Sequence, residues 1–242
     1  MQRRTGRERG EPTNPWFRIG MAGVGVPAGA LFKLRYRGVE NLPRTGGAIL
    51  AVNHISYADP VVVGRFVYDA GRLPRYLAKD SLFRVPVVGT VLRGMGQVPV
   101  HRGGPDAGRA LVSAVEALRR GELIIVYPEG TVTRDPDFWP ATGKTGIARL
   151  ALLAPEIPVI PMGQWGAQVI DVYGKSYKVF PRREATVVAG PPLDLSRFHA
   201  RLPEGGVPTT ELLRSMTTAV MAAVTAQVEI ARGETRPGAG SA

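Results

Sequence analysis

Gly46-Gly47-Ala48-Ile49-Leu50-Ala51-Val52-Asn53-His54-Ile55-Ser56-Tyr57-Ala58-Asp59-Pro60 carries the decisive reading of this chain. Residues 46–52 form an uncharged apolar run of strand length, the pattern of a strand buried on both faces. Asp59-Pro60 then reads as a helix start, with Asp at the N-cap and Pro at the first helical position. A buried strand that runs directly into a helix opens an α/β unit. His54 and Asp59 stand five positions apart in the corner between the two elements. On one ideal helix that offset turns the second side chain about 140° away from the first, so the pair can meet only across the bend. There a carboxylate would orient a histidine acting as general base; the plainer alternative is an N-cap aspartate and an unrelated loop histidine.

Three further segments repeat the strand-then-polar-exit pattern. Residues 122–126 form a second buried strand leaving into Tyr127-Pro128-Glu129-Gly130-Thr131. Residues 94–102 end a third strand candidate on Arg102, and residues 154–161 give a fourth framed by prolines. In this order the segments resemble the four sequence blocks of the glycerolipid acyltransferase family, over roughly residues 35–190. The N-H-x-S-x-x-D block is reproduced by Asn53, His54, Ser56 and Asp59. The F/Y-P-E-G-T-R-S block is reproduced by Tyr127, Pro128, Glu129, Gly130 and Thr131, after which Val132 stands in place of the arginine and Arg134 lies two positions on. The block that usually ends I-D-R ends here Val100-His101-Arg102, keeping the arginine and losing the aspartate.

The resemblance implies a single-domain α/β fold with a mixed β-sheet flanked by helices. It also implies transfer of a fatty acyl group from acyl-CoA or an acyl carrier protein to a hydroxyl of lysophosphatidic acid, giving phosphatidic acid in phospholipid biosynthesis. Other lysophospholipids, glycerol 3-phosphate and glycolipid hydroxyls stay open as acceptors. His54 would be the general base and Asp59 the group that fixes its tautomer. A phosphorylated acceptor calls for cations, arginine above all for its planar fork: Arg102 first, then Lys79, with Arg134 and Lys144 behind. Glu129, Gly130 and Thr131 match the family's acceptor-binding element, in which the carboxylate orients glycerol hydroxyls. No cofactor is expected beyond the donor itself. No G-x-S-x-G elbow occurs, which favours direct attack by the acceptor. The alternatives are a serine esterase using His54 and Asp59 with an unplaced serine, and a non-enzymatic protein of anionic membranes.

Composition supports the same class. With 242 residues the chain suits one substantial domain. Its formal charge of +11 asks for an anionic partner, whether phosphorylated substrate or membrane surface. No helix-turn-helix, zinc or aromatic single-strand signature points to nucleic acid. The absence of cysteine excludes disulfides, thiolate metal sites and a cysteine nucleophile. The three histidines, His54, His101 and His199, have no metal-ligand spacing.

Residues 1–15, with Arg3, Arg4, Arg7 and Arg9, read as a disordered basic arm. Residues 16–34 read as an apolar membrane-interface segment anchored by Trp16 and Phe17 and flanked by Arg18, Lys33, Arg35 and Arg37. Its uncharged core is shorter than the roughly 20 residues a spanning helix needs, so the expected location is the cytoplasmic face of the cell membrane, peripheral or monotopic. A secretory signal and a helix packed on the domain are the alternatives. The acyltransferase domain is expected over residues 35–232. Helices are expected at 60–70, 105–120, 144–153 and 210–232, and strands at 74–78, 157–162, 177–180 and 185–189 around a basic turn at Arg182-Arg183. Residues 134–143 read as a lid, residues 82–88 as one wall of an acyl groove, and residues 233–242 as a disordered tail.

Overall fold

Strand β2 (Ala48–Val52) is buried at all five positions because it lies in the middle of a sheet covered on both faces. The structure, a computed structural model, describes residues 11, 13–100, 107–169 and 182–237. The other strands are β1 (Phe32–Arg37), β3 (Arg75–Lys79), β4 (Val98–Val100), β5 (Leu123–Val126), β6 (Val159–Trp165) and β7 (Arg183–Ala189). They form one seven-stranded sheet in the order β1-β7-β6-β2-β5-β3-β4. Every neighbouring pair is parallel except β6 with β7. The α/β expectation and the mixed sheet therefore hold.

The apolar runs in β2, β5 and β6 lack alternation because each strand feeds two cores at once. Ile49, Ile124 and Val159 point into one core with α4 (Ala107–Arg119), α5 (Gly146–Leu153), the one-turn α6 (Ser196–His199) and α7 (Thr210–Arg232). Leu50, Ile125 and Ile160 point into the other, under α2 (Asp59–Asp69). Helix α7 begins on Thr209, whose hydroxyl accepts from the Leu212 N–H at 3.1 Å, and ends on Gly233 at φ 74°. Its stripe of Leu212, Met216, Val220, Val224 and Val228 is buried core, as the four-residue repeat predicts. The helix lies directly on β6: a Cβ at Gly163 would stand 2.2 Å from the Gln227 carbonyl carbon.

Several boundaries differ from the sequence reading for physical reasons. The N-cap of α2 is Ala58, and Asp59 is already helical; its carboxylate is drawn back to the preceding turn. β6 runs three residues past its expected end, through Gly163, Gln164 and Trp165, because β7 pairs with them antiparallel. Arg183 is the first residue of β7 rather than part of a turn. The strand expected at 177–180 lies outside the described residues.

The N-terminal apolar segment is a helix, α1 (Pro15–Leu31), continuous through its glycines and Pro27. Phe17 is only 1% exposed and so cannot serve as the membrane anchor expected of it. It packs under the Arg75 guanidinium, 5.5 Å from the ring centroid, while α1 leans on α2 and on α3 (Val88–Gly94). Glu11 ties the same end down. Its carboxylate accepts from buried Arg72 and from Arg75, each at 2.7 Å. Arg72 in turn donates to the carbonyls of Pro43, Gly46 and Gly121. Among the described residues no helix is long and apolar enough to cross a membrane.

Candidate active site

The exits of β2 and β5 lie side by side, and the site is built where both strands release the chain. Asn53 takes over from the β2 ladder: its amide donates to Gln164 O at 3.1 Å and its carbonyl accepts from Gln164 N at 2.8 Å. The next residue, His54, is held by main chain and side chain alike. Its N–H donates to Glu129 Oε1 at 2.8 Å and its carbonyl accepts from Thr133 N at 2.7 Å. Its ring stacks on Tyr127, with centroids 4.3 Å apart and planes 21° from parallel.

His54 Nδ1 meets Asp59 Oδ2 at 2.7 Å, so the five-residue offset does close across the bend. The same oxygen accepts from the N–H groups of Ile55 at 2.7 Å and Ser56 at 2.9 Å. Asp59 is fully buried, whereas the His54 side chain is 15% exposed. A carboxylate only accepts hydrogen bonds, so Nδ1 carries the proton and Nε2 is left with the lone pair. The aspartate that the sequence offered as a helix cap is thus committed to the histidine and its turn.

Glu129, expected to orient glycerol hydroxyls, has both oxygens engaged by the protein's own backbone. Oε1 accepts from His54 N, and Oε2 accepts from Ala141 N at 2.9 Å. Burial pushes its pKa up from 4.5 to about 7, against the opposing pull of those two N–H groups and of His54. In this geometry the carboxylate braces the loop it opens. Tyr76 and Tyr127 are also raised well above the ordinary tyrosine value, first by burial; Tyr127 adds to this the neighbouring Tyr76, and Asp59 contributes to both.

A cavity of about 410 Å³ opens beside His54. Leu77, Val100, Leu111, Val126, Ile147 and Leu150 give it an apolar wall, and Lys144 and Gly130 stand in its lining. Gly130 adopts φ 70°, and a Cβ there would come within 2.9 Å of Lys144 Nζ, so the residue answers both to backbone conformation and to space. Residues 82–88 do not line this cavity: Leu82, Val85, Val87 and Val88 are exposed on the surface instead. Residues 134–143 are not an open lid either. The Arg232 guanidinium lies 4.0 Å from the ring centroids of both Trp139 and Trp165 and donates to Asp137 O at 2.6 Å.

The expected cations are placed differently from one another. Lys144 lines the cavity of His54, and together with Arg134 it also lines a second, larger groove against α7. Lys79 is exposed at the end of β3, opposite Val100 in the register and outside both concavities. Thr131 is exposed and likewise in neither. Arg102 lies outside the described residues. Sequence reasoning passed over the stacking of Tyr127 on His54, the Asn53–Gln164 clamp, and two cations, Arg214 on α7 and Arg236 beyond its end. Asn53 and Tyr127 stand in the quoted blocks, but their partners Gln164 and His54 are distant in sequence and are brought to them only by the fold. No group of three metal-ligating side chains occurs among the described residues.

The family model described as Acyltransferase matches residues 33–165. A 1-acyl-sn-glycerol-3-phosphate acyltransferase from Borreliella burgdorferi is 36% identical over 121 residues, 50% of this chain but only 46% of that protein. The chain thus spans about half the length of that relative. One of the same name from Bacillus subtilis is 27% identical over 184 residues, 75% of this chain and 81% of the relative. The crystal structure of the 1-acyl-sn-glycerophosphate acyltransferase from Thermotoga maritima superposes with a TM-score of 0.63 at 23% identity, covering 91% of this chain and 81% of the other. That likeness speaks for the fold.

Proposed function

The chain belongs to the acyltransferase family, and on that premise we propose that it moves a fatty acyl group from an acyl thioester to a free hydroxyl of lysophosphatidic acid, giving phosphatidic acid. The observation that carries the reading is the His54–Asp59 pair, closed at 2.7 Å and set at the mouth of an apolar cavity that also contains a lysine. The cavity takes the acyl chain. Nε2 accepts the proton of the acceptor hydroxyl as its oxygen attacks the thioester carbonyl. Asp59 stabilises the imidazolium that forms, and Tyr127 and Glu129 hold the ring and its backbone in place. Collapse of the tetrahedral intermediate breaks the carbon–sulfur bond, and the imidazolium returns the proton to the departing thiolate. Lys144, Arg134 and Arg102 are the candidates for anionic groups of the substrates. No serine lines the cavity at His54 among the described residues, and Ser56 is buried with its hydroxyl accepting from Ala58 N; both facts weigh against the esterase alternative.

We further propose that the reaction takes place at an anionic membrane surface on the cytoplasmic side. Trp16 and Ile19 of α1 are exposed, and Trp16 sits against Gly94 of α3. The neighbouring turn exposes Leu82, Val85, Val87 and Val88, with Val87 at 75% exposure and φ 65°. A β-branched residue in that backbone region is strained by about 1–3 kcal/mol, and its exposed side chain buries little in return. Apolar residues so displayed beside Arg18, Arg84 and Arg93 fit an interfacial surface. The testing experiment is thioester release by the purified protein with lysophosphatidic acid, glycerol 3-phosphate, lysophosphatidylcholine and no acceptor. Release that needs lysophosphatidic acid is expected; release indifferent to acceptor would mean hydrolysis and end the proposal.

A further inference from the structure

Arg232, the last residue of α7, lies outside every motif read from the sequence, and its surroundings are not those of a surface cation. A basic residue in the last turn of a helix ordinarily complements the free carbonyls there. This side chain is only 9% exposed, and its carboxylate partner Glu234, at 2.9 Å, is itself 65% exposed. Its Nε is buried without a hydrogen-bond partner among the described residues. The guanidinium lies between two indoles, 4.0 Å from the ring centroids of Trp139 and of Trp165, and Nη1 donates to Asp137 O at 2.6 Å. Desolvating a guanidinium costs free energy that two π faces and a carbonyl offset only while both rings stay in place. The cation and the two rings therefore fix one another.

Both rings belong to segments that grip the His54 corner. Trp165 ends β6 and follows Gln164, whose main chain makes both hydrogen bonds with the Asn53 side chain. Trp139 belongs to the loop of residues 133–141, which reaches His54 twice. Thr133 N donates to His54 O at 2.7 Å, and Ala141 N donates to Glu129 Oε2, whose other oxygen accepts from His54 N. Between these two ends the loop is tied as one piece: Thr133 Oγ1 donates to Trp139 O at 3.0 Å, and Asp135 Oδ1 accepts from Asp137 N and Trp139 N. Phe138 holds φ 61° with its ring edge-on to Trp165, the centroids 6.2 Å apart. So uncommon a backbone state for an aromatic residue persists only where the surroundings over-determine it. Resting on the acyltransferase reading above, we propose that Arg232 is a positioning residue for acyl transfer. It clamps the loop of residues 133–141 to the end of β6, fixes the chain at residues 53 and 54 from both sides, and so keeps His54 aimed at the acceptor hydroxyl. Lys144 is fastened separately, its N–H donating to Pro128 O at 2.8 Å, so substrate binding does not depend on Arg232.

The test compares Arg232→Ala, Arg232→Lys and Val224→Ala with the parent, at a temperature well below every thermal midpoint. Val224 is buried on the core-facing stripe of the same helix, so its truncation lowers stability without touching the clamp. In Arg232→Ala, kcat with palmitoyl-CoA and lysophosphatidic acid should fall by about 10–100-fold, the loss that a displacement of about 1 Å at reacting groups produces. Both KM values should stay within about twofold of the parent's, because binding is not what the clamp supplies. Amide exchange at Thr133 and Ala141, followed by NMR, should quicken about tenfold, since loop amides exchange through local opening. Val224→Ala should keep the parent's kcat and its slow exchange at both positions despite a lower urea midpoint. Arg232→Lys should recover part of the lost kcat, because it returns a charge without the flat guanidinium that stacks on both rings. A parent-like kcat in Arg232→Ala, a loss confined to KM, unchanged exchange at Thr133 and Ala141, or an equal loss of kcat in Val224→Ala would each overturn the assignment. Exchange is read without turnover, so a parent that transferred no acyl group, with Thr133 and Ala141 still loosened in Arg232→Ala, would refute the proposed function and leave the clamp on His54 standing.

Discussion

Replacing Asp59 with asparagine should lower kcat by about 2–30-fold while leaving the KM for acceptor nearly unchanged. One oxygen of Asp59 accepts from His54 Nδ1, Ile55 N and Ser56 N, at 2.7, 2.7 and 2.9 Å. The asparagine oxygen can still take those three bonds, but without the charge. A hydrogen bond to a charged group contributes about 1.5–3 kcal/mol against about 1 for a neutral one. The imidazolium forms only as the hydroxyl proton is transferred, so most of that difference falls on the transition state. A rotated amide would also favour the wrong imidazole tautomer, and this extends the loss towards the upper end. Asp59 Oδ1 is buried with no hydrogen-bond partner among the described residues. The asparagine amide would occupy that place as an unpaired donor and cost about 1–3 kcal/mol of stability. The assay is steady-state thioester release with lysophosphatidic acid, alongside urea unfolding. Unchanged kcat in a folded Asp59→Asn protein would refute the view that this carboxylate supports a base.

Glu129 titrates at about 7 in the folded protein against 4.5 ordinarily, so the folded state binds its proton more tightly than the unfolded chain. Stability should therefore fall as pH rises from about 4.5 through about 7, by up to roughly 3 kcal/mol. Glu129→Gln should remove that slope, and parallel unfolding curves at pH 5 and 8 would count against it. Arg232→Ala empties the stack between Trp139 and Trp165 and should cost roughly 2–4 kcal/mol; Arg232→Lys should restore only part in the same urea titration. Leu82→Ser/Val87→Ser should weaken binding to anionic liposomes without lowering the thermal midpoint, because both side chains are exposed. Deleting residues 1–32 should instead destabilise the domain, since it removes buried Phe17 and the Glu11 carboxylate shared by Arg72 and Arg75.

The sequence was most legible where one short segment carries its own constraint. Residues 46–60 announce the central strand, the corner and the helix, and the His54–Asp59 contact follows from the bend alone. The α7 stripe is equally local, and its expected span of 210–232 matches the helix. What could not be read depends on contacts across the sheet. Glu129 looks like a substrate ligand from its motif, and only the fold shows that each of its oxygens also accepts from a backbone N–H, at positions 54 and 141. Phe17 looks like an interfacial anchor beside Trp16, yet it faces Arg75, far along the chain. Residues 82–88 resemble any apolar wall, and only tertiary packing decides that they face outward. Arg214 sits on a polar face of α7 that periodicity reads as solvated, and Arg236 lies past the helix end, in a segment read as a tail. The basic groove emerges only when that face is set against residues 133–145.

The most direct measurement is product formation by His54→Ala beside the parent protein, with palmitoyl-CoA and lysophosphatidic acid, each protein checked for the same fold by circular dichroism. The parent should release one thiol for each phosphatidic acid formed and should not react with a fluorophosphonate. The variant, lacking the base, should fall by at least the 10²–10⁴-fold typical of general-base catalysis. A folded His54→Ala protein that forms phosphatidic acid at the parent's rate would contradict the assignment of His54 as the catalytic base.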